Sequence, residues 1–370
     1  MKKLGTFAAA TALGLMALTG ASAARADAVS DFYKGKTATV IVSTGAGSYV
    51  LIAQTIANHF PRFIPGQPTM IAKAMPGAGH VNATNYMYNN APKDGTFIAS
   101  IGNSIPQHEV TDGKGVRFES AKFNWIGSTG ISNLMAVVNG SAGIKTISDA
   151  KKKDVLSGGT GAGSGTVLYP TILNNMLGTK FKIIIGYRSA GDVDLAMERG
   201  EVQARHGYSY GSFERAHPDW IATGRANFLY QVGLSERMGP KGVPLMIDLA
   251  ENPEQKEILR FFSRTVALGR PYLAPPGVPA DRLAALRAGF TQMTQDPKFV
   301  ADMKKRHLDL FPQDWKEVSE NVEALVRTPK PLIAKAVAVM ERKGMVDCKV
   351  FTNPKNCGSK KKKKRKKKEG

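Results

Sequence analysis

Serine, threonine and glycine gather at two places in this 370-residue chain, each time between an apolar run and a stretch of helical spacing. The first is VIVSTGAGSYVLIAQTIANHF, residues 40–60. The second is SGGTGAGSGTVLYPTILNNML, residues 157–177. A strand that breaks at glycine and enters a helix exposes N–H groups that have no partner inside that helix, and the aligned peptide dipoles add partial positive charge there. Glycine lets an acceptor come close to those donors. The chemistry is anion capture, and three anions fit it: a nucleotide phosphate, a catalytic oxyanion and a small carboxylate.

The first two lack their other parts. A dinucleotide fingerprint needs G-x-G-x-x-G, but Gly45-Ala46-Gly47-Ser48-Tyr49 is followed by Val50, and no acidic residue stands where a ribose would be held. Gly35-Lys36-Thr37 has Ser30 where a phosphate-binding Walker loop begins with glycine. A nucleophile at Ser164 would need glycine at 162 and 166, which are Ala162 and Thr166; an exported α/β hydrolase using Ser164 is the alternative reading. Histidines 59, 80, 108, 206, 217 and 307 show no metal-ligand spacing. Asp192 and Asp194 read as helix start and surface. Neither metal nor cofactor is expected, and what survives is capture of a carboxylate by backbone and hydroxyl groups.

The elements that position these loops follow from periodicity. Thr37 to Ser43 reads as a strand, and Ile52, Ile56 and Phe60 share one face of the next helix. Thr69 to Ala74 is a second strand ending in Pro76-Gly77-Ala78-Gly79. A helix over Val81 to Tyr88 and a strand over Thr96 to Ile101 follow. Strands are expected at 134–138, 154–156, 182–185 and 201–206, and Leu168, Ile172 and Met176 are expected on the buried face of the second loop's helix. Ser189-Ala190-Gly191-Asp192 is a capping box. Residues 279–344 are mostly helical. The alternation of strand and helix predicts parallel sheets in two α/β lobes, with ligands bound beyond the carboxyl ends of the strands.

The chain ends frame this body. Lys2 and Lys3, an apolar stretch and Ala24-Arg25-Ala26 read as a secretory signal peptide over 1–26. Lys360 to Lys368 is an unbroken basic run without aromatic residues to stack bases, expected to be disordered over 358–370. A polyanion-binding protein driven by this tail is a third reading. The formal net charge of +21 owes much to the two ends, though the body between them is still basic. Cys348 and Cys357 are placed to pair in an oxidising compartment.

At these loops the chain resembles the extracytoplasmic solute receptors of tripartite tricarboxylate transporters, the Bug-type family. The motifs that carry the resemblance are FYKGKTATVIVSTGAGS, MPGAGHVNATNYMYNNAPKDGTFIAS, GGTGAGSGTVLYPTILNNMLG, IIIGYRSAGDVDLAMERGEV and YLAPPGVPADRLAALRAGF, in that order. The resemblance implies an α/β, two-lobed periplasmic-binding-protein fold of type II-like, Venus-flytrap form, with a ligand cleft between the lobes. Residues 27–137 with 266–357 would form the first lobe and 138–265 the second. It implies a periplasmic, non-enzymatic monomer that binds a small organic acid and passes it to membrane permease subunits, with no nucleic acid involved.

The implied ligand contacts are Thr44, Gly45, Ala46, Gly47, Ser48 and Tyr49 on one lobe, and Gly161, Ala162, Gly163, Ser164, Gly165 and Thr166 on the other. Gly77, Ala78, Gly79 and His80 would border the cleft, and the segment through Arg205, His206 and Tyr208 would floor it. The chain departs from the family at Val50, Gln54 and His80, where Asp, Arg and Gly are frequent, and in GEVQARHGY, which lacks the usual acid. With Arg188 and Arg205 nearby, these departures predict a cationic cleft. Its ligand would carry two carboxylates, or one carboxylate and a ring against Tyr49, Tyr187 or Tyr208.

Overall fold

The computed structural model describes residues 28–45, 48–160, 164–187 and 189–351. The expected signal peptide and basic tail lie outside them, as does Cys357; Cys348 is disulfide-bonded. The chain forms two compact α/β units. One takes the residues through Ile131 together with Leu268–Arg327. The other takes Ser132–Ala267 and the residues from Thr328 onward.

The first unit is built on a six-stranded sheet of β1 (Thr37–Val42), β2 (Thr69–Ala74), β3 (Phe97–Ser100), β4 (Asn124–Ser128), β10 (Pro271–Ala274) and β11 (Gln313–Asp314), in the order β11-β4-β10-β3-β1-β2. β1 is buried from its second residue on, as a central strand flanked on both sides requires. β2 forms an edge, and exposes Thr69, Ile71, Lys73 and Ala74. The helix Ser48–His59 lays Ile52 and Ile56 on the sheet with Phe60 just beyond its end, all with no exposed surface, as their spacing predicted. They share one core with Val42, Tyr272 and Phe290.

The second unit repeats the plan with β5 (Leu134–Asn139), β6 (Val155–Gly159), β7 (Phe181–Ile185), β8 (Ala204–Ser209), β9 (Ala226–Val232) and β12 (Val346–Asp347), in the order β12-β7-β6-β8-β5-β9. The capping box at Ser189 and Asp192 is formed.

Five expectations are corrected. Among the described strands, β1–β3, β6–β8 and β12 make the parallel strand pairs; β4, β10 and β11 in one sheet and β5 and β9 in the other run antiparallel to their neighbouring strands. Periodicity reports burial and is blind to strand direction. The strand expected at 201–206 begins at Ala204, because Glu201 N and Val202 N still donate to Ala196 O and close the preceding helix. The helix Gly165–Leu177 buries Val167, Leu173 and Leu177 along with Ile172, while Leu168 and Met176 are only partly covered. The lobe boundary expected at 137/138 falls between Ile131 and Ser132. Residues from Thr328, expected with the first lobe, join the second: β12 extends the sheet beside β7, and Asn175 Nδ2 holds the carbonyls of Val339 and Glu341.

Candidate functional site

The first unit's loop begins where β1 runs out of partners. Ser43 N donates to Ser100 O at 3.1 Å, the last rung against β3. Beyond it come Thr44 and Gly45, then the twelve-residue helix starting at Ser48; Ala46 and Gly47 lie outside the described residues. Ser43 Oγ is 2.9 Å from His80 Nδ1. His80 ends a run, Gly77-Ala78-Gly79-His80, in which every φ is positive, 134°, 46°, 59° and 81°. Ala78 and His80 are strained there, since left-handed backbone disfavours side chains. The His80 ring lies against Gly102: a Cβ at 102 would stand 2.7 Å from His80 Cγ. Burial lowers the His80 pKa, and the Ser43 bond opposes this.

Tyr49 faces His80, with ring centroids 6.0 Å apart. Arg270 also stands near it, its guanidinium carbon 5.7 Å from the Tyr49 ring. Burial raises the Tyr49 pKa, with Arg270 acting against it. Arg270 Nη2 donates to Ser48 Oγ at 3.2 Å and Nη1 to Gly130 O at 3.3 Å. Arg270 Nε and the Thr44 hydroxyl are buried without a hydrogen-bond partner among the described residues, while the buried Tyr272 hydroxyl meets the Ser100 side chain.

In the second unit's loop the described hydroxyls bond one another. β6 ends at Gly159, and Gly161, Ala162 and Gly163 lie outside the described residues. Thr160 N donates to Thr166 Oγ1 at 3.1 Å, Thr160 Oγ1 to Ser164 Oγ at 3.0 Å, and Ser164 and Thr166 share a 2.6 Å bond. Gly165 has a packing role: the backbone of Gly207, at φ +68°, lies directly on it, and a Cβ at 207 would stand 2.9 Å from the Gly165 carbonyl carbon.

The remaining expected site residues of this unit are mostly core. His206 is fully buried, with Nδ1 2.8 Å from Tyr230 OH and Nε2 3.2 Å from Ser157 Oγ, so both nitrogens are occupied. Burial lowers its pKa to about 3. It is no ligand group, and it offers Ser164 no free base. Tyr187 and Tyr208 belong to the unit's apolar core, and burial raises both pKa values to about 12. Arg205 is bound through Nη1 to both oxygens of Asp194, at 2.6 and 2.5 Å, and lies 3.5 Å over the Tyr208 ring. Its charge is neutralised, which corrects the cationic character expected of this segment. It also corrects the surface role given to Asp194. Arg188 lies outside the described residues.

Comparison with solved structures decides the fold. A TctC solute-binding protein from Polaromonas superposes with a TM-score of 0.63 at 17% identity, over 82% of this chain and 99% of its own. The chain has the fold of the TctC-type and Bug-type periplasmic binding proteins. BugD matches at TM-score 0.56 and 17% identity, over 82% of this chain and 98% of its own. MatC from Rhodopseudomonas palustris, solved with bound malate, matches at 0.52 and 16%, over 83% and 99%. No protein-family model and no curated protein sequence matches the chain.

Sequence reasoning missed Arg270. It stands 222 positions from Ser48, just before the motif that begins at Tyr272 and outside any periodic pattern; the pairing of β10 with β3 brings it to the loop. Among the described residues there is no group of three or more His, Cys, Asp or Glu placed to hold a metal ion, and no helix is long and apolar enough to cross a membrane.

Proposed function

We propose that this protein is an exported, periplasmic solute receptor that captures a small organic acid and delivers it to a tripartite tricarboxylate-type membrane transporter, acting as a monomer and without catalysis. The observation that carries the reading is the first unit's edge. There a glycine loop opens into the N-terminus of the helix Ser48–His59, beside a buried Thr44 hydroxyl and a buried Arg270 Nε that have no partner among the described residues. Such an edge offers donors, and an acceptor-rich anion is what it lacks. The backbone of residues 44–49 and 161–166 supplies the grip in this reading, with the turn at 77–80 beside the first loop. The fold shared with a malate-bound protein supports it.

The magnitudes suffice. A hydrogen bond to a charged group contributes roughly 1.5–3 kcal/mol. Three or four such bonds, less the cost of association, reach about −8 kcal/mol, a micromolar affinity. Native mass spectrometry of the protein drawn from a periplasmic extract, followed by titration calorimetry, tests the reading. A co-purifying organic acid that rebinds the emptied protein with micromolar affinity is expected. Failure of every mono-, di- and tricarboxylate to bind overturns it.

A further inference from the structure

We propose that Arg270 is the residue that reads the ligand's charge, holding one carboxylate at the first unit's sheet edge; the inference rests on the receptor reading above. Its backbone is fixed before its side chain is considered. Arg270 N donates to Ser128 Oγ at 3.0 Å and Arg270 O accepts from Thr129 N at 3.3 Å, while Pro271 begins β10 directly after it. The side chain leaves this anchored position and reaches the first residue of the Ser48–His59 helix.

The charge it brings there is unspent. Arg62 and Arg306 in the same unit are paired with Asp296 and Asp302. Arg282 and Arg287 lie against aromatic faces, at 3.5 Å from Phe32 and 3.7 Å from Trp315. Arg270 stands farther from its ring, 5.7 Å from Tyr49, and pairs with no carboxylate among the described residues. Its two bonds go to neutral oxygens at 3.2 and 3.3 Å, and its Nε–H is buried without an acceptor. A partly buried guanidinium held this way loses hydration without the compensation a counter-ion gives.

The strand register shows what shares that site. Val42, Ser100 and Tyr272 are lateral partners across β1, β3 and β10, so they point to one face of the sheet. Val42 and Tyr272 belong to the core built with Ile52 and Ile56, so it is the face covered by the Ser48–His59 helix. Ser100 and Tyr272 have no exposed surface and meet each other through their hydroxyls, so neither neutralises the guanidinium. Arg270, two residues before Tyr272, continues that face beyond the edge. A full positive charge, a helix N-terminus and the unpartnered Thr44 hydroxyl therefore converge where β1 ends. The planar fork of a guanidinium fits the two oxygens of a carboxylate.

The test begins with a thermal-shift screen of the purified protein. It uses unbranched mono- and dicarboxylates of two to six carbons, malate, benzoate, phthalate and inorganic phosphate. The most stabilising compound then goes to titration calorimetry with the wild type, Arg270→Gln and Arg270→Lys at several salt concentrations. We expect the tightest compound to be a carboxylate and Arg270→Gln to weaken it about 30-fold or more. Arg270→Lys should lose part of the affinity, since an ammonium keeps the charge and loses the fork. The salt dependence of Kd should flatten in Arg270→Gln alone, which a packing role would not produce. If the wild type binds an acid and Arg270→Gln binds it within threefold, this inference falls and the receptor reading stands. If the wild type binds no acid, both fall. If phosphate is the tightest compound, the carboxylate assignment is overturned. Should Arg270→Gln fail to fold, Arg270→Lys and Thr44→Val decide, and affinity within twofold of wild type in both overturns the proposal.

Discussion

The two glycine loops are near-copies in sequence, STGAGS at 43–48 and TGAGSG at 160–165, and opposites in chemistry. Each follows a parallel strand and opens a helix of twelve or thirteen residues. At the first, a guanidinium stands without a carboxylate and the Thr44 hydroxyl has no partner. At the second, Thr160, Ser164 and Thr166 spend their hydroxyls on one another, and the unit's nearby arginine is locked to Asp194. A shared local pattern puts a strand before and a helix after each loop. The electrostatics were set by residues from elsewhere in the chain, Arg270 in one unit and Asp194 in the other. The first edge thus keeps a charge without a counter-ion, and the second spends its described side-chain polar groups locally.

The largest test of this contrast removes Asp194. In Asp194→Ala, Arg205 keeps its place over the Tyr208 ring, with its side chain only 9% exposed, and loses its counter-ion. Breaking one side of a buried ion pair costs about 3–5 kcal/mol, because the remaining charge is neither solvated nor paired. Tyr208 OH, which donates to Asp194 at 3.1 Å, loses its acceptor as well. Denaturant unfolding followed by hydrogen exchange should show that loss in the second unit. Removing Arg270 should cost little stability by comparison, since its bonds are to neutral oxygens. Equal stability losses in the two variants would erase the distinction between a structural and a binding arginine.

The contrast also shows what a sequence carries. The strand at 69–74, the helix start at 81 and the capping box at 189 are local facts. A few consecutive residues determine them, and they were legible. The antiparallel strands at 124–128, 226–232 and 271–274 gave no such signal, because their pairing is with distant segments. His206 and Arg205 looked alike in GEVQARHGY, two polar residues at a strand end. One proved to be a core residue between Ser157 and Tyr230, the other an ion-paired side chain; only the partners, from β6, β9 and a neighbouring helix, tell them apart. Arg270 was invisible for the same reason.

A second test uses acidity. His206 titrates near 3 in the folded protein because burial disfavours its charge, against about 6.5 when unfolded. The unfolded state therefore binds the proton first. The stabilisation is complete above about pH 6.5 and is lost as pH falls from there towards 3, by a few kcal/mol at the extreme. His80 in the first unit shifts in the same direction, also by burial, but it is only partly buried. Hydrogen exchange between pH 7 and 4 should show the second unit opening first. His206→Gln, less stable at pH 7, should flatten the pH dependence, and His80→Gln should leave most of it. A profile that survives His206→Gln unchanged would place the titrating group elsewhere.

The smallest effect on stability sharpens the comparison most. Gly45 has no positive φ, and a Cβ built on it meets only Pro76, at 3.7 Å, an ordinary contact. Nothing in the described fold requires glycine there. Gly165 differs: a Cβ would stand 2.7 Å from the buried Tyr169 ring and 3.4 Å from the Gly207 Cα. Gly165→Ala should cost about 1–3 kcal/mol through overpacking. Gly45→Ala should change stability by no more than about 0.5 kcal/mol, partly offset by a stiffer unfolded chain. Its effect should instead appear in binding. A methyl group on the loop holds an anion away from the amides beyond it, and a tenfold loss of affinity corresponds to about 1.4 kcal/mol. Melting curves and titration calorimetry on the two variants separate the roles. If Gly45→Ala binds as wild type does, the first loop's glycine serves only the chain, and the carboxylate must be held by side chains.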